Sequence, residues 1–135
     1  MNTRDLIQEL YFKGIEPLSM YEALLSSELH SDFTKSEAKI DSEIGGKFTC
    51  YDGYINGKNI FLEEGLMIIQ EWQGAEEDWP DYHYSTVQFK FKPLDGGTHL
   101  TFIHKGIPAD YYESISNGWY EHYWEPLKVY FGKES

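Results

Sequence analysis

The chain has 135 residues, of which 41% are hydrophobic and 17% aromatic, and its formal net charge is −12. A chain of this length buries roughly 68% of its unfolded surface, so we expect one globular domain, residues 1–135, that needs neither a disulfide nor a metal. The negative charge opposes binding to nucleic acid and to anionic lipid surfaces, and the frequent charged residues exclude membrane insertion.

The N-terminal segment MNTRDLIQELYFKG has no apolar stretch of signal-peptide length, so we expect a cytoplasmic protein. The single cysteine, Cys50, has no internal disulfide partner, and a buried small hydrophobe is favoured over a reactive thiol. Four acidic residues flank Trp79-Pro80, and we interpret them as a solvated loop rather than a docking site for a basic partner. They are Glu76, Glu77, Asp78 and Asp81.

The first half of the chain predicts one strand and two short helices. Residues 3–13 alternate, with Leu6, Gln8 and Leu10 on one face, as in a strand. A helix is predicted from Pro17 to about Ser26, because apolar residues recur there at helical spacing. These are Leu18, Tyr21, Leu24 and Leu25. A second helix is predicted over residues 27–33, with Ser27 as its cap.

From Glu37 the pattern changes to strands separated by short turns. Asn56-Gly57 predicts a two-residue hairpin, because both residue types tolerate positive φ, and residues 63–65 predict the next turn. Residues 84–92 alternate most clearly, with Ser85, Val87, Phe89 and Phe91 on one face. The turn PLDGGT then leads to a strand over 98–105, where Leu100, Phe102 and His104 share a face. Short turns predict antiparallel neighbours.

The last element is predicted to be a long helix with Asp110 as a candidate cap. Gly118 and Pro126 are poor interior residues, so we expect a bend or break near one of them. Trp124 is expected to be displaced from the inward face. That face is predicted to comprise Ile115, Trp119, Tyr123 (or His122), Leu127 and Tyr130.

Catalytic and metal-binding patterns are weak. The five histidines show neither an H-E-x-x-H run nor a Cys/His zinc spacing, and no nucleophile elbow or nucleotide-binding glycine loop is present. We therefore predict a non-enzymatic protein with no catalytic residues, no metal and no cofactor. His104 is the one histidine that we consider further as a functional residue, since its strand face is predicted to point to the interior. A hydrogen-bonded structural histidine is favoured there over an acid/base catalyst or a ligand anchor.

Three segments carry a family resemblance: GGKFTCYDGYINGKNI, HYSTVQFKFKPLDGGTHLTFIHKGIP and NGWYEHYWEPLKVYFG. They resemble the family named for the activator of the heat shock protein 90 ATPase, specifically its C-terminal domain, within the START-like superfamily (SRPBCC), which includes birch-pollen allergens. The resemblance implies an α+β helix-grip fold. In that fold a curved antiparallel sheet wraps around a long C-terminal helix, and two short helices follow the first strand.

The resemblance also implies three candidate functions. The first is binding of a small hydrophobic ligand, a lipid or an aromatic natural product, between sheet and helix. The alternative is a co-chaperone-like regulator that binds and stimulates a heat shock protein 90 ATPase, and the third is a polyketide-cyclase-like enzyme. Because the chain resembles only the second domain of the eukaryotic activator, we expect weak stimulation.

For most of the aromatic side chains, core packing is favoured over ligand contact. Among the tryptophans, we expect Trp119 to respond most to a ligand and Trp79 least. The residues predicted to line the cavity are Phe33, Phe48, Trp72, Phe89, Phe102, His104, Trp119 and Tyr123.

Overall fold

The structure is a computed structural model that describes residues 2–74, 79–80 and 83–132. The four acidic residues around Trp79-Pro80 therefore lie outside the described residues. The strands are β1 (Thr3–Phe12), β2 (Lys39–Ile40), β3 (Lys47–Cys50), β4 (Ile55–Glu63), β5 (Met67–Gly74), β6 (Ser85–Leu94) and β7 (Gly97–Pro108). The helices are α1 (Pro17–Leu25), α2 (Ser27–Thr34), α3 (Tyr112–Trp119) and α4 (Glu125–Gly132). A 3₁₀ turn (Ala109–Tyr111) precedes α3, and a π-helical segment (Tyr120–Trp124) joins α3 to α4.

The strands form one antiparallel sheet in the order β1-β7-β6-β5-β4-β3-β2. The alternation predicted for β1 and β6 is confirmed, because Leu6, Leu10, Val87 and Phe89 are all buried. Asp95 and Gly96, both with positive φ, form the predicted turn between β6 and β7. The core lies between the inner face of the sheet and the helices. Of the helices in the described ranges, none combines the length and hydrophobicity needed to cross a bilayer.

The hairpin turn predicted at Asn56-Gly57 is wrong. Both residues lie inside β4, where Gly57 pairs with Trp72, and the turn lies at residues 51–54 instead. A Cβ atom on Gly57 would lie 1.9 Å from the carbonyl oxygen of Glu71 and 2.6 Å from the ring of Phe48. Gly57 is therefore required for close approach of its neighbours rather than for a turn.

Two predicted helix caps are also wrong, and one residue of the apolar pattern in α1 lies outside the core. Ser26, not Ser27, caps α2, and its Oγ accepts a hydrogen bond from the Leu29 N–H at 3.2 Å. The Ser27 hydroxyl instead exchanges hydrogen bonds with the backbone of Ile40. Asp110 lies in the 3₁₀ turn, and α3 begins without a side-chain cap. Leu18 is 40% exposed, because α1 turns Met20, Ala23, Leu24 and Leu25 to the core.

The predicted break in the C-terminal helix is the π segment, which lies between Gly118 and Pro126. Its wider turn places two consecutive residues, Tyr123 and Trp124, in the core, so the prediction that Trp124 is displaced from the inward face is wrong. Pro126 has no N–H to give to the carbonyl of His122, four residues earlier. The Tyr51 hydroxyl donates to that carbonyl instead. The His122 side chain itself is exposed.

Candidate functional site

His104 lies at the centre of the interior and is fully buried. The Trp119 indole donates to its Nδ1 at 3.0 Å. Since an indole N–H is only a donor, Nδ1 is the acceptor and the proton sits on Nε2. Nε2 lies 2.8 Å from Ser85 Oγ, and the Ser85 hydroxyl donates in turn to the Trp72 carbonyl at 2.9 Å. These hydrogen bonds tie the helix to three neighbouring strands of the sheet, β7, β6 and β5.

Burial lowers the pKa of His104 to about 3, so the imidazole is neutral at pH 7. Both ring nitrogens are already used within the protein. The sequence predicted that this buried imidazole needs a hydrogen-bond partner. The structure gives it two, Ser85 at Nε2 and Trp119 at Nδ1. This arrangement holds the ring in place and leaves neither nitrogen available for acid/base chemistry.

A second buried histidine, His30 on α2, was not singled out from the sequence. Its Nε2 lies 3.6 Å from Cys50 Sγ, its Nδ1 has no hydrogen-bond partner, and its ring packs against Phe33 and Tyr123. Burial lowers the pKa of His30 to about 4 and raises that of the Cys50 thiol to about 12. The pair is thus a neutral imidazole beside a protonated thiol, which is a poor nucleophile. The i, i+3 spacing of His30 and Phe33 was the available sequence signal for its burial.

The space between helix and sheet is filled at its centre. Trp119 packs against Trp72, Phe102, Tyr123 and Trp124, with ring centroids 4.4–5.7 Å apart. The gap left among these and neighbouring side chains has a volume of about 10 Å³. That is at most the volume of one water molecule, so the centre of the fold has no room for a ligand.

A larger cleft opens at one end of this space, and we call it the mouth cleft. It has a volume of about 450 Å³ and lies between the β3–β4 turn on one side and α3 with the π segment on the other. Tyr51 bridges the two sides, since its hydroxyl bonds the His122 carbonyl and its ring contacts those of His122 and Tyr123. The lining residues are Tyr51, Tyr54, Ile55, Trp72, Ser114, Ile115, Gly118, Trp119, Glu121, His122 and Tyr123.

The residues predicted to line a cavity fall into four places. Trp72, Trp119 and Tyr123 line the mouth cleft, whereas Phe48 and Phe89 line only the small central gap. Phe102 and His104 are fully buried and line neither space. Phe33 borders a surface groove between α2 and α4, on which Asp32, Glu121 and Glu125 also lie.

Sequence reasoning missed Tyr51, Tyr54 and Gly118 as cleft residues. The available signal was the pair of tyrosines on either side of Asp52-Gly53, a turn dipeptide that places both side chains near the end of the sheet. Within the described part of the chain, no group of three or more His, Cys, Asp and Glu side chains could hold a metal ion.

Trp79 belongs to the core, although its neighbours in the sequence are acidic. It is 7% exposed, stacks on Tyr111, contacts Trp72 edge-on and donates its indole N–H to the His83 carbonyl at 2.8 Å. Trp79 therefore lies next to a wall of the mouth cleft.

An antiparallel sheet that packs one face against a long C-terminal helix, with a cleft at one end, defines the helix-grip class of START-like domains. Residues 16–132 match the family described as Activator of Hsp90 ATPase homolog 1-like protein, and the chain belongs to that family.

Individual relatives agree with this assignment. The chain is 34% identical to the mouse activator of 90 kDa heat shock protein ATPase homolog 2, over 90% of this chain and 36% of that protein. It is 32% identical to human homolog 1, over 86% of this chain and 34% of that protein. The chain thus spans about a third of the length of these relatives. A crystal structure of a Plasmodium falciparum protein described as an HSP90 activator superposes with a TM-score of 0.82 at 26% identity, covering 96% of both chains.

Proposed function

We propose that this chain binds an Hsp90-type chaperone and regulates its ATP turnover. The observation that carries the proposal is the match to named ATPase activators at 32–34% identity over 86–90% of this chain. The interior supports a binding role over catalysis, because both buried histidines are neutral and the thiol of Cys50 is protonated. A cyclase-like reaction gains no support from these groups.

The test is a titration of the purified Hsp90-type chaperone of the same organism with this chain. We expect saturable binding and a rise in ATP hydrolysis that an inhibitor of the chaperone's ATP site abolishes. The chain alone serves as the control and should hydrolyse no ATP. Failure to bind and to change turnover at high micromolar concentration would refute the proposal.

A second candidate function is binding of a small hydrophobic molecule, and the mouth cleft is the observation that favours it. Its volume of about 450 Å³ lies within the 300–1,000 Å³ range of typical ligand sites. Three aromatic side chains, Trp72, Trp119 and Tyr123, form its inner wall. Flat apolar compounds, such as flavonoid-like or fatty-acid-like probes, fit this surface.

Gly118 offers a way to block the cleft without disturbing the fold. A Cβ atom there would meet only His122 Cδ2, at an ordinary distance of 3.8 Å, and α-helix interiors favour other residues over glycine. We expect Gly118→Leu to abolish probe binding, and Asn117→Leu, on the same helix but outside the cleft lining, to leave it unchanged. Equal affinities in the two variants would argue against a site in this cleft.

Tryptophan fluorescence gives a second measurement for the same site. Trp119 should report a bound probe most strongly, because it lines the cleft. Trp124 should respond less, because it is fully buried and touches the cleft only through its stacking contact with Trp119. Trp79 is no longer the distant control that its sequence context suggested, since it contacts Trp72. A ligand-induced change that survives Trp119→Phe but disappears in Trp124→Phe would place the site elsewhere.

A further inference from the structure

The outer face of the sheet carries an apolar row that runs across five strands. Strand register pairs Ile7 with Ile103, Ile103 with Gln88, Gln88 with Ile69, and Ile69 with Phe61. We call these five residues the outer stripe. It is about 19 Å long, since neighbouring strands lie about 4.8 Å apart. Ile7 is 67% exposed and Phe61 is 40% exposed.

The core does not account for this row. A sheet with helices on one face is expected to be apolar inside and polar outside, and the inner residues of the same strands do fill the core. Isolated exposed apolar residues are ordinary, but four of the five positions in this cross-strand row are apolar and form two adjacent pairs on either side of Gln88. Such a row marks an interaction surface.

The rows on either side of the outer stripe are rich in lysine. One consists of Lys47, Lys58, Glu71, Thr86 and Lys105, and the other of Glu63, Met67, Lys90, Thr101 and Glu9. They hold four of the chain's eleven basic residues but only three of its twenty-three acidic ones. Among the described residues, none of the four lysines lies within 4.0 Å of a carboxylate in an ion pair.

We propose that this outer face is the docking surface for a protein partner whose contact surface combines apolar residues with a predominantly acidic rim. The inference rests on the proposed function, so the partner is the Hsp90-type chaperone. Unpaired lysines around an apolar centre complement such a surface and steer its approach. An anionic bilayer fits less well, because the same two rows also carry Glu9, Glu63 and Glu71 and the whole chain carries −12.

The electrostatic part is tested with Lys90→Glu/Lys105→Glu against a charge-matched control, Lys35→Glu/Lys128→Glu, whose residues lie on the helical side. Affinity for the purified chaperone is measured by titration calorimetry at low and high salt. We expect the first double variant to weaken binding about tenfold or more at low salt and less at high salt, because salt screens exposed charges. The control should bind like the parent.

The apolar part is tested with Ile7→Thr/Ile103→Thr, which keeps β-branched side chains in the strands and so preserves strand propensity. Its control is Ile44→Thr/Val129→Thr, which changes two exposed β-branched residues, 63% and 56% exposed, away from the outer stripe. We expect only the stripe variant to lose affinity. Thermal unfolding of all four variants checks that each one folds.

The outcomes separate this inference from the proposed function. If the parent chain fails to bind the chaperone, both are overturned. If the parent binds and the face variants bind equally well, only the docking surface is overturned. Sedimentation gives the remaining two outcomes: a dimer of the chain that Ile7→Thr/Ile103→Thr dissociates, or co-sedimentation with phosphatidylserine vesicles that Lys90→Glu/Lys105→Glu abolishes. Either would assign the face to a different occupant and overturn the proposal.

Discussion

The centre and the mouth of the space between helix and sheet are built from the same kinds of residue but differ in what they leave open. At the centre, rings and hydrogen bonds leave a gap of about 10 Å³, whereas the mouth cleft has about 450 Å³. Trp119 belongs to both, with one side against the core rings and another on the cleft. The difference comes from the helix: the π segment turns Trp124 inward at the centre, and Gly118 presents no side chain at the mouth. Aromatic content alone therefore does not indicate a ligand cavity.

The largest effect should come from emptying the centre. Trp124→Ala removes a fully buried ring that contacts Phe12, Phe89 and Phe102, so we expect a loss of about 3–5 kcal/mol in the free energy of unfolding. At the mouth, Tyr54→Ala truncates a side chain that is 48% exposed and should cost clearly less. Denaturant unfolding monitored by circular dichroism measures both. If Trp124→Ala and Tyr54→Ala lost similar amounts of unfolding free energy, the centre would not be more important to stability than the mouth.

The next effect concerns the two buried histidines. His104→Leu leaves the Trp119 N–H without its acceptor and removes the N–H that Ser85 Oγ accepts, at a cost of about 1–3 kcal/mol in unfolding free energy. His30→Leu should cost less, because Nδ1 of His30 has no partner and Nε2 makes only a long contact with sulfur. Unfolding in urea ranks the two variants. The reverse ranking would mean that His104 is less important to the centre than its contacts indicate.

Both histidines should also make stability depend on pH. In the folded chain the pKa of His30 is about 4 and that of His104 is about 3, and both lie below the ordinary value of 6.5. The unfolded chain therefore binds protons below pH 6.5 that the folded chain does not, and the unfolding free energy falls as pH decreases from about 6.5 toward these values. Each histidine contributes a slope of up to about 1.4 kcal/mol per pH unit.

The measurement is urea unfolding between pH 7 and pH 5, above the range in which ordinary carboxylates titrate. His104→Leu should remove about half of the contribution that the two buried histidines, His30 and His104, make to the slope. An unchanged slope in His104→Leu would show that this imidazole is protonated in the folded protein.

The smallest effect should come from the bridge across the mouth. Tyr51→Phe removes the hydroxyl that donates to the His122 carbonyl, so we expect a loss of about 0.5–1.5 kcal/mol, at the low end because water can reach that carbonyl. Probe binding in the mouth cleft provides the second readout. Because the ring of Tyr51 remains, affinity should change little. If Tyr51→Phe lost more unfolding free energy than His104→Leu, the hydrogen bond at the mouth would contribute more to stability than those at the centre.

The strands could be predicted because alternation is a local signal. The buried faces of β1, β6 and β7 predict these strands, and the family resemblance predicts that the sheet wraps around the C-terminal helix. The turn prediction at Asn56-Gly57 failed because it relied on local turn propensity. The reason for glycine at position 57 is the close approach of Glu71 and Phe48, which lie on neighbouring strands.

The candidate site was harder to predict for a related reason. Trp124 was misplaced because a strict helical period was extended through Tyr120–Trp124, where the turn is wider. The contact between His30 and Cys50 joins a helix to a strand across the core, and no spacing in the sequence encodes it. Gly118 contributes to the mouth cleft because it has no side chain to fill it, and a search for aromatic and polar side chains does not find such a residue.

The π segment also means that the C-terminal helix contains a surplus residue. An α-helix turns by about 100° per residue, so the eight-residue step from Trp119 to Leu127 would carry Leu127 about 80° away from the core. The wider turn absorbs that excess, and both residues are buried. Deleting the exposed Glu121 would shorten the step to seven residues and return the segment to regular α-helix with Leu127 still facing the sheet. In a regular α-helix consecutive residues point about 100° apart, so after the same deletion Tyr123 and Trp124 could not both face the core. The packing of the centre therefore depends on the number of residues in this helix as well as on their types.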